Sequence, residues 1–126
     1  MNTIKVTQEV SYERVQDLLC SALEGGSNYW YCIADTIYPQ GETKESLKIE
    51  FTHLELPFKG GTLVFEDIED PEREKTYLTL ETITEGLNIM ANKFPKDFGD
   101  FMSEDDDATT GDIFLQCCLL KDVIYG

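Results

Sequence analysis

Basic residues are scarce in this sequence, which has 10 lysine and arginine residues against 25 aspartate and glutamate residues. The formal net charge of −15 repels the phosphates of nucleic acids and the anionic surfaces of membranes, so we expect direct binding to neither. High net charge also favours solubility. A second interpretation of the charge is mimicry, in which an acidic surface occupies a basic groove on a partner protein.

Histidine is scarce as well, with one residue beside four cysteines, which limits the catalytic and metal sites that the chain can build. The single histidine, His53, lies in or near a predicted strand without a cysteine or serine partner close by, whereas such sites need several convergent groups. We therefore expect no enzymatic activity, no cofactor and no metal site. The cysteines form no C-x-x-C pair, and we interpret them as small buried residues of apolar helical stretches in a reducing compartment: Cys20, Cys32, Cys117 and Cys118.

Long apolar runs are also missing from the sequence. No stretch approaches the roughly 20 apolar residues that a bilayer-spanning helix needs. Residues 1–10 contain no apolar run typical of a signal peptide. These features predict a soluble protein of the cell interior.

The hydrophobic periodicity predicts an α+β fold in a single domain, residues 1–126, with about four helices packed on an antiparallel sheet of three to four strands. Helical spacing follows cap residues Ser11, Ser27 and Thr79 and recurs after residue 109, with a short segment restarting at Pro95. Strand patterns cover 3–6, 47–51, 62–65, 76–78 and the terminal 123–125. The residues expected to be buried are Leu18, Leu19, Trp30, Ile33, Leu87, Met90, Phe114 and Leu115.

The acidic run 105–112 invites comparison with a calcium-binding loop. Aligned from Asp105, it has Thr110 where the EF-hand loop needs glycine and Gln116 where it needs glutamate. The run is better explained as a solvated loop that caps the last helix, with Asp112 in the first helical turn.

The most unusual segment joins two glycines, a cap residue, an amide and three rings, and it forms our candidate ligand- or partner-binding site. Its free backbone N–H groups at a predicted helix start would suit an anion, and its rings would suit stacking. The alternative is a tight helical corner with Trp30 in the core. Three consecutive rings on a helix cannot all enter one core, so at least one should face outward or toward another subunit. The site residues are Gly25, Gly26, Ser27, Asn28, Tyr29, Trp30 and Tyr31.

Three segments carry a resemblance to a known family: A-L-E-G-G-S-N-Y-W at 22–30, T-G-D-I-F-L-Q at 110–116 and V-I-Y-G at 123–126. They are similar to a family of small uncharacterised accessory proteins encoded by tailed bacteriophages and prophages. The likeness spans most of the chain, with a variable middle from 39 to 80. It implies a setting in the cytoplasm of a bacterial host and implies no active site.

Such accessory proteins often act against host systems, and two mechanisms fit this sequence. In the first, the chain, as a homo-oligomer, sequesters a small nucleotide-like signalling ligand at the Gly25–Tyr31 segment. The net charge counts against such an anion unless Lys44, Lys59 or Arg73 converge there. In the second, the chain is an acidic DNA mimic or direct inhibitor of a host nucleic-acid-binding or defence protein. Its acidic residues concentrate in segments 66–74 and 97–107.

Overall fold

A computed structural model describes residues 2–126, which form five α-helices packed on a three-stranded antiparallel sheet. In chain order the elements are α1 (Tyr12–Ser21), a π-helical turn (Ala22–Gly26), β1 (Tyr31–Ile37), α2 (Thr52–Glu55), a 3₁₀ turn (Leu56–Lys59), β2 (Thr62–Asp67), β3 (Lys75–Leu78), α3 (Leu80–Lys93), α4 (Pro95–Met102) and α5 (Ala108–Leu120). The predicted α+β class is confirmed, with one helix more than expected.

The helices begin where the sequence places polar caps. The Ser11 hydroxyl accepts a hydrogen bond from the Arg14 N–H at 3.2 Å and starts α1. Thr79 starts α3 and Asp107 starts α5, each through a reciprocal capping box with the residue three positions on. The prediction that the acidic loop caps the last helix is therefore confirmed. Asp112 lies beyond the first turn of α5, contrary to expectation.

The sheet has the strand order β1-β2-β3, and both neighbouring pairs are antiparallel. Leu63 and Phe65 of β2 are fully buried on the face that meets the helices. The pairing of β1 with β2 changes register between Ile33 and Asp35, which marks a bulge. β2 and β3 confirm the strands predicted at 62–65 and 76–78.

The second predicted helix is wrong, because its residues form β1. Trp30, Ile33, Ala34 and Ile37 fit a helical period, yet Tyr31–Ile37 is rich in β-branched and aromatic residues that favour strands. Pairing with the buried strand β2 overrides the local helical pattern. Cys32 consequently lies in a strand and is half-buried.

Three predicted strands are absent from the described chain. Residues 47–51 form turns, in which Lys48 has a left-handed φ of 56° that a strand does not allow. His53 follows them in the short helix α2 and is exposed. Residues 3–6 belong to no strand, and the N–H groups of Ile124 and Tyr125 bond to Gln116 of α5 instead of to a strand.

The helices and the sheet enclose one hydrophobic core. Of the residues expected to be buried, Ile33 and Leu87 are only half-buried. The other six are buried: Leu18, Leu19, Trp30, Met90, Phe114 and Leu115. α5 contributes to this core from most sides, as its apolar sequence predicts. None of the helices in residues 2–126 combines the length and the apolar composition needed to cross a membrane.

The cysteines differ in burial, and we expect their reactivity to differ accordingly. Cys117 and Cys118 are buried in α5, whereas Cys20 and Cys32 are half-buried. Burial raises the pKa of the Cys117 thiol to about 12, and burial raises that of Cys118 well above its ordinary value. Because the thiolate is the reactive form, we expect alkylation of native protein at about pH 8 to reach Cys20 and Cys32 first.

Mass spectrometry of peptides from timed iodoacetamide reactions measures the order of labelling. Protein unfolded in urea is the control, in which all four sites should label at similar rates. Labelling of Cys117 or Cys118 ahead of Cys20 in the native protein would contradict the packing of α5.

Candidate functional site

The Gly25–Tyr31 segment forms a corner between the π-helical turn and β1. The Ser27 N–H donates to the Ala22 carbonyl at 2.9 Å, and the Trp30 N–H donates to the Ser27 carbonyl at 3.1 Å. No helix begins at Ser27, so the predicted helix N-terminus for an anion is wrong. The three rings belong to a turn and a strand instead of fanning around a helix.

The carboxylate of Asp112 organises the inner side of this corner. Its Oδ1 accepts hydrogen bonds from Ser27 Oγ at 2.8 Å, Trp30 Nε1 at 2.8 Å and Gln116 Nε2 at 3.1 Å. Its Oδ2 accepts one from the Tyr29 hydroxyl at 2.7 Å. All four donors are neutral, and Asp112 itself is buried. The carboxylate is thus held by hydrogen bonds, without a cation.

Gln116, one turn after Asp112, fixes the end of the chain to the same cluster. Its Oε1 accepts the N–H groups of Ile124 at 2.8 Å and Tyr125 at 2.9 Å, and its Nε2 donates to the Tyr125 carbonyl at 3.1 Å. The Tyr125 ring stacks on Trp30 with centroids 5.7 Å apart, and its hydroxyl donates to Asp67 at 2.6 Å. The three segments that carry the family resemblance therefore meet at one place.

Two glycines let the corner approach α5 closely. A side-chain carbon on Gly111 would lie 2.7 Å from the Ala22 nitrogen, and one on Gly26 would overlap the Ala108 carbonyl oxygen. Neither position has room for a Cβ atom. Gly26 and Gly111 are therefore explained by backbone packing, whereas a side chain on Gly25 would meet no atom within 4 Å.

The corner residues divide into a buried set and an exposed set. Ser27, Trp30 and Tyr31 are buried, and the Tyr31 ring packs 5.1 Å from that of Phe65. Asn28 is exposed, and Tyr29 retains 43% of its accessible surface. One ring does face outward, as predicted. Burial and the hydrogen bond to Asp112 raise the pKa of Tyr29 to about 12, so its hydroxyl is neutral at physiological pH.

An acidic turn is bonded to the corner at the Trp30 backbone. The Ile68 N–H donates to the Trp30 carbonyl at 2.8 Å, which joins the β2–β3 connection to the corner. Within that connection, Asp67 accepts the Glu69 N–H and Asp70 accepts the Glu72 N–H, both at 2.9 Å. These two aspartates order the turn. Its three glutamates are exposed: Glu69, Glu72 and Glu74.

We define the corner surface as Asn28, Tyr29, Ile68, Glu69, Glu72 and Glu74, all of which are exposed. Comparisons with protein-family models, with curated proteins and with solved structures find no match to this chain. Among residues 2–126, no group of three or more histidine, cysteine, aspartate or glutamate side chains is arranged to hold a metal ion.

The cations considered for an anionic ligand do not converge on the corner. Lys59 donates to the carbonyls of Leu47 and Lys48 at 2.8 and 3.3 Å. Arg73 pairs with Glu66 at 3.8 Å, and Lys44 is exposed in a turn before α2. A cleft of about 540 Å³ runs along the corner beside α5, and it is lined by no lysine or arginine.

In the second acidic segment, 97–107, some of the acidic residues have structural roles. Asp106 pairs with Arg14 at 2.9 Å, and Asp107 caps α5. Most acidic side chains of the described chain remain without an ion pair. The eight that form one are Asp17, Glu55, Glu66, Glu85, Asp100, Glu104, Asp106 and Asp122.

Sequence reasoning identified the corner but missed the role of Asp112 and Gln116 as its support. Their spacing of four residues places both on one side of a helix that is otherwise apolar. Two polar residues on one side of an apolar helix indicate a buried polar cluster, although they do not identify the residues that bond to them.

Proposed function

We propose that this chain is a non-enzymatic accessory protein of a phage or prophage that binds a basic host protein in the bacterial cytoplasm through the corner surface. The observation that carries the proposal is the hydrogen bond between the Ile68 N–H and the Trp30 carbonyl. It joins Trp30, which directly follows the exposed Asn28 and Tyr29 in sequence, to a turn with three exposed glutamates. The phage setting rests on the family resemblance alone.

The chemistry of the corner surface favours a cationic partner. An exposed aromatic ring contributes contact area and attracts lysine or arginine over its face. Nearby carboxylates attract the same side chains and increase the rate of encounter. The only cation of segment 66–74 is Arg73, and Glu66 pairs with it. A DNA-binding or defence protein with a basic groove has the complementary charge.

Sequestration of a nucleotide is less well supported by the same geometry. Phosphates are held in proteins by lysine, arginine, a metal or a helix N-terminus. The Gly25–Tyr31 segment contains no helix start. The N-terminus of α5 lines the cleft through Ala108 and Thr109, but the Asp107 carboxylate already caps it, and the cleft has neither lysine nor arginine. We therefore expect no change in melting temperature across a panel of nucleotides, which a thermal-shift assay measures.

The test is a pull-down from bacterial lysate with wild-type protein and with the variant Glu69→Gln/Glu72→Gln/Glu74→Gln. We expect wild-type protein to enrich basic nucleic-acid-binding proteins at low salt and to lose them as salt rises. For a partner identified in this way, the variant should bind about tenfold more weakly, because exposed charge pairs contribute up to about 1 kcal/mol each.

A matched control removes three charges elsewhere: Glu13→Gln/Glu45→Gln/Glu81→Gln, at positions that are all exposed. Equal loss of binding in both variants would show a general effect of net charge and would refute a site at the corner. Capture that does not respond to salt would contradict recognition through charge, and a clear thermal shift with one nucleotide would favour the sequestration mechanism.

A further inference from the structure

Residues 2–10 form an arm without regular secondary structure, and all of them except Val10 are exposed. Within residues 2–126, no hydrogen bond involves positions 2–10. Ile4 and Val6 keep 90% and 79% of their accessible surface, although both are strong strand formers. The arm rests over α3 with a gap of about 400 Å³ between them. It is a strand-forming segment without a partner strand.

The sheet has an unpaired edge with which a strand-forming segment could pair. β1 is an outer strand, and on the side away from β2 the described chain makes no backbone hydrogen bond to it. Tyr31 and Ile33 of this outer strand line a cleft of about 530 Å³, which residues 50–54 close on the other side. We call it the edge cleft. Leu23, Ile33 and Leu54 contribute apolar lining, and Phe51 beside them is 60% exposed.

The bulge in β1 limits where another strand can pair. It separates Ile33 from Asp35, and bulges and charges on an outer strand block pairing. The half of β1 that remains suitable, Tyr31–Ile33, is the half that lines the edge cleft. An added strand there would place alternate side chains against the apolar lining.

The charges of the arm and of the edge cleft are complementary. Lys5, between Ile4 and Val6, is the only charged residue in positions 2–8. The edge cleft carries Glu24 and Glu50, and no lysine or arginine lines it. Neither glutamate forms an ion pair within the described chain. In a protein of net charge −15, positions 2–8 of the arm carry no acidic residue, so they meet less repulsion at the cleft than most of the surface would.

We propose that the arm of one copy docks in the edge cleft of a second copy as an added strand, and that the exchange is reciprocal. Positions 2–10 span about 30 Å when extended, which is enough to reach across a dimer interface. Reciprocal exchange gives a closed two-fold dimer, in which both arms and both edges are paired. The dimer uses a different surface from the corner surface, so the two proposals fail independently.

The experiment is sedimentation velocity of the full chain up to about 0.1 mM at about 0.15 M salt, where charges more than about 8 Å apart are screened. We expect a concentration-dependent dimer.

Ile4→Glu/Val6→Glu should raise its dissociation constant at least tenfold, because the arm loses the apolar burial that holds it. Since both side chains are exposed in the single copy, this variant should fold normally. Ile124→Glu, at another exposed apolar position, should leave the dimer unchanged.

Exchanging the charges of Lys5 and Glu50 distinguishes a local ion pair from the effect of net charge on association. Lys5→Glu and Glu50→Lys should each weaken the dimer about three- to tenfold, and the double variant should restore most of the loss. Glu50→Lys lowers the net negative charge of each copy, so a purely global effect would strengthen association instead. The corner variant Glu69→Gln/Glu72→Gln/Glu74→Gln should still form the dimer.

Three results would overturn the proposal. One is a monomer at every concentration, and another is a dimer that survives Ile4→Glu/Val6→Glu unchanged. The third is a dimer that Glu50→Lys strengthens.

Discussion

Replacing Asp112 by alanine should lower the free energy of unfolding by about 3 kcal/mol or more. The change removes the shared acceptor and leaves Ser27 and Trp30 as buried donors without a partner, while Gln116 keeps only its bond to the Tyr125 carbonyl. Each buried donor left unpaired costs about 1–3 kcal/mol. Equilibrium urea denaturation, followed by Trp30 fluorescence and by circular dichroism, measures the loss.

Asp112→Asn is the matched control for that substitution. Its amide oxygen still accepts from Ser27 and Trp30, and its amide nitrogen can donate to the Tyr29 hydroxyl oxygen. We expect a loss of only about 1 kcal/mol, since neutral hydrogen bonds contribute less than charged ones. Equal losses for Asn and Ala, or a loss below 1 kcal/mol for Ala, would contradict the role of the carboxylate as the common acceptor.

Gly86→Val should lower the free energy of unfolding by about 3 kcal/mol, because α3 and α5 are in backbone contact there. A side-chain carbon at Gly86 would lie 2.7 Å from the Cys118 Cα and 2.8 Å from its nitrogen. Neither atom can move aside without shifting a whole helix, and a branched side chain adds further overlap. Thermal or urea unfolding measures the loss.

Gly99→Ala in α4 is the control for the glycine argument. A side-chain carbon there would meet nothing within 4 Å. Alanine favours a helix interior over glycine by about 1 kcal/mol, so this variant should be neutral or slightly more stable. The two substitutions should therefore act with opposite sign. A destabilised Gly99→Ala protein together with an unaffected Gly86→Val protein would mean that the helices pack differently.

The sequence predicted those elements whose local signals agree with their surroundings. α1, α3 and α5 each combine a polar cap with helical spacing, and the structure confirms all three. β2 and β3 have strand-forming residues on either side of a turn-rich segment. In these places the local preference and the tertiary packing favour the same conformation.

The errors arise where the local sequence pattern favours one secondary structure and the tertiary packing imposes another. The bulge between Ile33 and Asp35 breaks the alternation of β1, so Trp30, Ile33 and Ile37 look helical in sequence. In 47–51 the alternation is present, but the left-handed turn at Lys48 prevents a strand. A single sequence does not show which long-range pairing will form.

The candidate site was likewise only partly predictable from the sequence. Its unusual composition made Gly25–Tyr31 recognisable from the sequence. The role of Asp112 was not recognisable, because three of its four donors lie more than 80 residues away along the chain. The acidic turn, which bonds to the Trp30 carbonyl through Ile68, is likewise distant in sequence. Composition located the segment, and only the fold supplied its neighbours.

The long separation between Asp112 and its donors has a consequence for the order of folding. Ser27 and Asp112 are 85 positions apart, and closing so long a loop costs entropy that early, local contacts have not yet offset. The helices and the β2–β3 hairpin can form before that closure. We therefore expect Asp112→Asn to accelerate unfolding while leaving the refolding rate nearly unchanged, which stopped-flow kinetics would show. Slower refolding at an unchanged unfolding rate would instead place this contact in the folding nucleus.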